Sequence, residues 1–184
     1  MVCGVDLCDW ACVNKVKSSP MPLHDAAAFQ AALPASGALI GLDPGTKTIG
    51  VAVSDATRLI ASPVIGVKRR KFALDAAEIF AILDSRSACA VVVGHPLNMD
   101  GSAGPSAQAA RAFARNLLGL RDLPLLLWDE RLSTAAVQRQ MIEADMTRAR
   151  RAREVDAAAA AFMLQGFLDR MRERGAGAAS GEGP

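Results

Sequence analysis

Two apolar runs, Ala38-Leu39-Ile40-Gly41-Leu42 and Thr48-Ile49-Gly50-Val51-Ala52-Val53, flank Asp43-Pro44-Gly45. Pro-Gly is a strong turn signal, so the runs read as two strands joined by a tight connection, with the Asp43 carboxylate held at a strand end. A third short run at 59–64 follows at once. Three consecutive strands with short connections predict an antiparallel meander, and every later element has to be placed against it.

The rest of the chain alternates. After the basic cluster Lys68-Arg69-Arg70-Lys71, the residues Phe72, Ala76, Ile79, Phe80 and Leu83 recur at helical spacing, which predicts a helix over 72–86. Ala90-Val91-Val92-Val93-Gly94 is a continuous apolar run, as expected of a strand covered on both faces. A loop rich in turn residues, 95–105, leads to a helix over 106–118. A strand follows at 125–128, then a helix opening near Ser133-Thr134 and an Ala-rich helix over 154–172. The expected fold is α/β, a mixed five-stranded sheet (antiparallel meander, then parallel strands) with helices on both faces. Site residues then gather at the carboxyl ends of the parallel strands.

A chain of 184 residues, 51% of them hydrophobic, suffices for one well-filled domain. Its expected bounds are 37–172. Residues 1–36 form an N-terminal extension, partly disordered or a short helix, with Leu23, Ala27, Phe29 and Leu33 at helical spacing before Pro34. Met21 offers a second start of translation. The tail 173–184, built from Gly175 onward of Gly, Ala, Ser, Glu and Pro, is expected to be disordered. No run of about 18 apolar residues could span a bilayer, and the first residues lack a basic start and an apolar core, so a cytoplasmic protein without membrane association is expected. Cys3, Cys8, Cys12 and Cys89 match no familiar zinc-ligand spacing and read as reduced thiols.

The chemistry lies in the acids. On the Ala-rich helix Glu154, Gln165, Asp169 and Arg172 share one face, while Asp156, at about 100° per residue, lines up with Ala160, Met163 and Phe167. An ion on an apolar stripe needs a partner. Asp129 and Glu130 end the 125–128 strand, much as Asp43 ends the first. Converging carboxylates suit a hard cation such as Mg²⁺ or Mn²⁺, and two such ions about 4 Å apart can stabilise both the attacking and leaving oxygens of a phosphodiester. Metal-assisted hydrolysis is the implied chemistry. Simpler roles exist for each acid: a turn former at Asp43, a helix cap at Asp129, an ion pair between Glu130 and Arg131, and a helix-dipole partner at Asp156.

Four ordered blocks carry a resemblance. Gly41-Leu42-Asp43-Pro44-Gly45-Thr46-Lys47-Thr48-Ile49-Gly50-Val51-Ala52-Val53-Ser54-Asp55, Pro96-Leu97-Asn98-Met99-Asp100-Gly101-Ser102, Trp128-Asp129-Glu130-Arg131-Leu132-Ser133-Thr134, and Val155-Asp156-Ala157-Ala158-Ala159 with Leu164-Gln165 resemble the YqgF (RuvX) family. Its members are described as Holliday-junction-resolvase-like nucleases and as pre-16S ribosomal RNA nucleases. The resemblance implies a ribonuclease H-like fold, with Asp43, Glu130 and Asp156 as the catalytic and metal-binding triad. It implies a metal-dependent nuclease processing the 5′ end of pre-16S rRNA, or a resolvase of branched DNA. His95 departs from the pattern, which usually has an apolar residue there. It reads as a solvent-facing loop histidine, with a metal-proximal role as the sharper alternative.

Lys47, Arg131, Arg148, Arg150, Arg151 and Arg153 would supply phosphate contacts around the acids, positioning a backbone without reading bases. The formal charge of only +2 means that nucleic-acid binding must rest on such local clusters. Tyr is absent and aromatics are 4%, which argues against a base-stacking platform and for structured nucleic acid held by its phosphates. Two rival functions remain. Asp43-Pro44-Gly45-Thr46-Lys47-Thr48 also looks like the phosphate-binding turn of the actin, Hsp70 and sugar-kinase superfamily, but those proteins bind nucleotide between two such domains and this chain has length for one. A non-catalytic nucleic-acid-binding module is the other. The sequence assigns no oligomeric state, monomer or homodimer, although junction resolution by paired sites would demand two-fold symmetry.

Overall fold

The computed structural model describes residues 25–129, 131 and 151–179. The helix expected near Ser133-Thr134 and the cysteines Cys3, Cys8 and Cys12 lie outside the described residues. The elements run α1 (Ala26–Ala32), β1 (Ala38–Pro44), β2 (Thr48–Ser54), β3 (Ala61–Lys68), α2 (Phe72–Ser85), β4 (Ala88–His95), α3 (Pro105–Leu120), β5 (Leu125–Asp129) and α4 (Arg151–Ala179). The strands form one sheet in the order β3-β2-β1-β4-β5. β1–β2 and β2–β3 are antiparallel, whereas β1–β4 and β4–β5 are parallel. This is the mixed sheet of the ribonuclease H-like fold, as expected. It brings the carboxyl ends of β1, β3, β4 and β5 to one pole.

Strand alternation sorts the side chains onto two faces. Ile40, Leu42, Ile49, Val51, Val91, Val93, Leu125 and Leu127 pack with Ile79 and Leu83 of α2 and Phe113 and Leu117 of α3. Leu39, Ala52, Ala90, Val92, Leu126 and Trp128 pack with Ala160, Met163, Leu164 and Phe167 of α4. Phe29 of α1 is wholly buried on this second face, edge-on to Phe167 at 5.8 Å between ring centroids. Asp25 caps α1, accepting the Ala27 and Ala28 amides at 3.0 Å each. Part of the N-terminal extension is therefore built into the domain core.

Several element bounds differ from expectation, most at β3, which runs on to Lys68 rather than ending at 64, and at α4. β3 starts at Ala61, not 59, because Asp55 Oδ1 accepts the amides of Leu59 and Ile60 at 2.7 and 2.8 Å and draws both residues into the β2–β3 turn. Pro63 is tolerated in β3 because the strand lies at the sheet edge, beside a register shift between Val51 and Ala52. α4 extends beyond 154–172 at both ends, so the helix continues past the expected start of the disordered tail to Ala179. Once nucleated, a helix gains a hydrogen bond with each added residue, which carries it through Gly175 despite that residue's poor propensity. Among the described residues, no helix is long and apolar enough to cross a membrane.

Candidate active site

Asp43 shares strand parity with Leu39 and Gly41, so it belongs to the α4 face of the sheet. Across the β1–β2 ladder it is paired with Gly50. The backbone of Asp156 lies directly over that glycine: a Cβ built on Gly50 would stand 2.0 Å from the Asp156 carbonyl oxygen. Only glycine lets the helix come so close. Gly41 does the same one turn on, where a Cβ would meet Leu164 Cβ at 2.8 Å. Two glycines thus seat the first turns of α4 against β1 and β2, and they bring two half-buried carboxylates, Asp43 and Asp156, to the same face at the carboxyl pole. Ala160, Met163 and Phe167, in line with Asp156, are buried as expected.

Glu130, the third acid of the expected triad, lies outside the described residues. Among the described residues no group of three or more His, Cys, Asp and Glu converges on a metal position. Asp43 and Asp156 offer carboxylate oxygens, the donor type that hard divalent cations take.

Asp129 and His95 belong elsewhere. They are paired in register at the ends of β5 and β4, with the parity of Leu127 and Val93, which places them on the α2–α3 face. His95 is 2% exposed, so the expected solvent-facing loop histidine is instead the last, buried residue of a strand. Parallel pairing with β5 extends β4 that one residue further than its apolar run. Asp129 is gripped by Arg131: Nε lies 3.1 and 3.2 Å from its two oxygens, a terminal nitrogen 2.8 Å from Oδ2, and the Arg131 amide 3.0 Å from Oδ1. That guanidinium holds the Asp129 carboxyl below its ordinary range, and the carboxylate raises Arg131 in turn. The other terminal nitrogen of Arg131 donates to the Asn98 and Met99 carbonyls at 3.3 and 3.2 Å. Arg131, expected to touch phosphate, is engaged in tying the β4–α3 loop to the end of β5.

The remaining cations divide. Lys47 is exposed in the β1–β2 turn, and its carbonyl accepts the Arg69 amide at 2.9 Å, so the turn is laced to the end of β3. Lys68 and Lys71 are exposed at the same pole. Arg70 bridges Asp75 and Glu78, while Arg69 lies over the Phe113 ring at 5.6 Å. Arg148 and Arg150 lie outside the described residues. Arg151 and Arg153 fall in the first turn of α4, just before Asp156.

A cleft of about 400 Å³ borders β5, lined by His95, Arg111, Trp128 and Asp129 among others, and neither Asp43 nor Asp156 lines it. Sequence reasoning missed the seating role of Gly41 and Gly50. Their signal was present, since a glycine inside an apolar strand marks close backbone approach.

Comparison with known proteins agrees with the motif blocks. Residues 37–170 match the family model RuvX, described as Holliday junction resolvase. A protein of Rhodospirillum rubrum named "Putative pre-16S rRNA nuclease" is 61% identical over 150 residues, covering 81% of this chain and 93% of its own. Proteins of the same name from Rhodobacter capsulatus and Nitrobacter winogradskyi are 57% and 56% identical, covering 80% and 84% of this chain and 92% and 93% of their own. Thermus thermophilus RuvC, solved in complex with a Holliday junction substrate, aligns at 18% identity with a TM-score of 0.46, over 74% of this chain and 96% of that one. On the match of its sheet domain and the identity of its relatives, this chain belongs to the RuvX family.

Proposed function

We propose that the protein is a metal-dependent nuclease that hydrolyses phosphodiester bonds and processes the 5′ end of pre-16S rRNA in the cytoplasm. One observation supports the reading: Asp43, from the first strand, is paired across the ladder with Gly50, and the backbone of Asp156, from the last helix, lies directly over that glycine. Relatives named for pre-16S rRNA support the choice of substrate.

Asp43 and Asp156, with Glu130, would hold Mg²⁺ or Mn²⁺. Bound there, the cation supplies charge neutralisation at the scissile phosphate and a water acidic enough to attack it. The protein's own residues do the rest. Glu130, which follows β5 in sequence, would complete the carboxylate set, as the family resemblance implies. Lys47 beside Asp43, and Arg148, Arg150, Arg151 and Arg153 leading into Asp156, contact flanking phosphates and fix the backbone in line. Arg131, its charge matched by Asp129, serves the β4–α3 loop. The rigid backing of α4 on Gly41 and Gly50 keeps the two aspartates from drifting apart under their mutual repulsion.

The test is cleavage of a precursor RNA spanning the 5′ end of 16S rRNA, beside a four-way DNA junction, with Mn²⁺ or EDTA. RNA cutting is expected that vanishes with EDTA and falls about a thousandfold in Asp43→Asn. Preferential cutting of the junction would make the protein a resolvase. RNA binding without any cutting would leave a nucleic-acid-binding module and remove the catalytic roles assigned here.

A further inference from the structure

We propose that Met99 is a wedge, inserted between stacked bases of an RNA whose backbone crosses the acidic pair, and that Arg131 and Asp129 are its mount. The inference rests on the nuclease reading above and names how that site engages base-paired RNA.

Met99 is 92% exposed, far more than any other large apolar side chain among the described residues. Isolated exposed apolar residues are ordinary on protein surfaces, and Leu59, Ile60 and Leu120, at the opposite pole, need no role. Met99 differs in how its backbone is held. The loop folds on itself: the Gly101 amide donates to the Asn98 carbonyl at 2.8 Å, and the Asn98 amide to the Ser102 carbonyl at 3.0 Å. Asp100 Oδ1 accepts the Ser102 amide and hydroxyl at 2.8 and 2.6 Å, and the Asn98 side-chain amide donates to the same hydroxyl at 2.8 Å. Gly101, at φ +84°, supplies the left-handed turn this needs. Arg131 then grips the carbonyls of Asn98 and Met99 themselves, while Asp129 holds the guanidinium by both oxygens. The hydrogen bonds fix the main chain on each side of Met99 and leave its side chain pointing at solvent.

An apolar side chain on a braced loop is what opening a base step requires, because unstacking opposes the insertion and a slack loop would yield first. Methionine's unbranched thioether slides between rings of varied shape. The position fits. The loop leaves β4, the strand beside β1, at the same carboxyl pole as Asp43, while Asp129, which anchors the Arg131 clasp, belongs to the α2–α3 face. A protein poor in aromatics has few other side chains with which to part bases.

The experiment uses the full chain carrying Asp43→Asn and an RNA hairpin with a single-stranded 5′ arm, labelled with 2-aminopurine at successive positions near the stem boundary. Binding is followed by anisotropy and unstacking by fluorescence. The expected result is a fluorescence rise at one or two positions, lost in Asp43→Asn/Met99→Ala and kept in Asp43→Asn/Met99→Leu, with the RNA bound in all three. In the cleavage-competent chain, Met99→Ala is expected to slow cutting of the paired hairpin about tenfold and to recover on a hairpin with a mismatched pair at the boundary. A merely structural methionine would not be rescued by a change in the RNA. Arg131→Lys, which cannot span Asp129 and both carbonyls, should lose the fluorescence rise with a similar rescue. RNA bound without unstacking at any position, or unstacking unchanged by Met99→Ala, overturns the wedge and leaves the nuclease reading standing. Absence of both binding and cutting overturns both.

Discussion

The two faces of the sheet are packed by different rules. Against α2 and α3 the sheet presents Val, Ile and Leu, which interdigitate with Ile79, Leu83, Phe113 and Leu117. Against α4 it presents Leu39, Val92, Leu126 and Trp128 but also Gly41, Gly50, Ala52 and Ala90, and where the helix crosses Gly50 its backbone lies almost on the strand backbone. Side chains on the first face can shift rotamer and absorb a change. On the second face little can give at Gly50, since the Asp156 carbonyl stands where a side chain would yield. The face without slack is the one that carries Asp43 and Asp156. Rigidity is concentrated where two like charges must be held in a fixed relation.

The largest effect expected from this contrast follows Gly50→Ala. The added methyl would stand 2.0 Å from the Asp156 carbonyl oxygen, and only movement of α4 relieves that. Stability should fall by about 3 kcal/mol or more. Any folded remainder should have lost its metal-dependent cutting, because Asp156 moves with the helix. Urea denaturation and the cleavage assay together check this. Wild-type stability and activity in the variant would show that the two faces do not differ as described.

Ile79→Val probes the other face with a single methylene. Ile79 is fully buried against the sheet, yet its neighbours are side chains that can settle into the space. A loss of about 1 kcal/mol is expected, with RNA cleavage rates unchanged. An activity loss as deep as that of Gly50→Ala would mean that strain passes through the sheet to the acidic pair, and the division of labour between the faces would fail.

Much of this was legible in the sequence, and the reason is periodicity. The β1–β2 hairpin, the apolar β4 and β5, and the helical spacing of α2 and α3 all follow from patterns repeated over several residues, and the sheet follows from their order. Asp43 and Asp156 stand out because each breaks a local pattern, one at a strand end and one on an apolar stripe, and the structure sets the Asp156 backbone over Gly50, the ladder partner of Asp43. What escaped depends on contacts distant in sequence. β3 was placed too early because the turn that claims Leu59 and Ile60 is set by the Asp55 carboxylate, not by hydropathy. His95 seemed a loop residue because only its partner Asp129, on another strand, reveals that β4 continues. Gln165, assigned to a polar outer face, in fact accepts the Ala61 amide at 2.8 Å and donates to the Leu59 carbonyl at 3.1 Å. For Arg131 the charge is visible in the sequence, but its ion pair with Asp129 is not.

The Gln165 contact gives the smallest of the tests, and it bears on how α4 is held at the edge of its face. Glycine seats the helix over β1 and β2, and toward β3 Gln165 ties it to the backbone on either side of Ile60, which is shaped by Asp55. Asp55 accepts the amides of Leu59 and Ile60 and also the Thr57 amide and hydroxyl, and these hydrogen bonds lower its pKa from 3.8 to about 2. A carboxylate whose folded pKa lies below its unfolded one adds stability that is complete above the unfolded value and is lost as pH falls through the folded one. The window is therefore from 3.8 down to about 2. Asp55→Asn keeps the shape and removes the titration, so wild type should be the more stable at neutral pH and its advantage should shrink across that window. Thermal unfolding of both proteins at a series of pH values measures the difference directly, with the other acids common to both. A constant difference would mean that the β2–β3 turn holds without the charge.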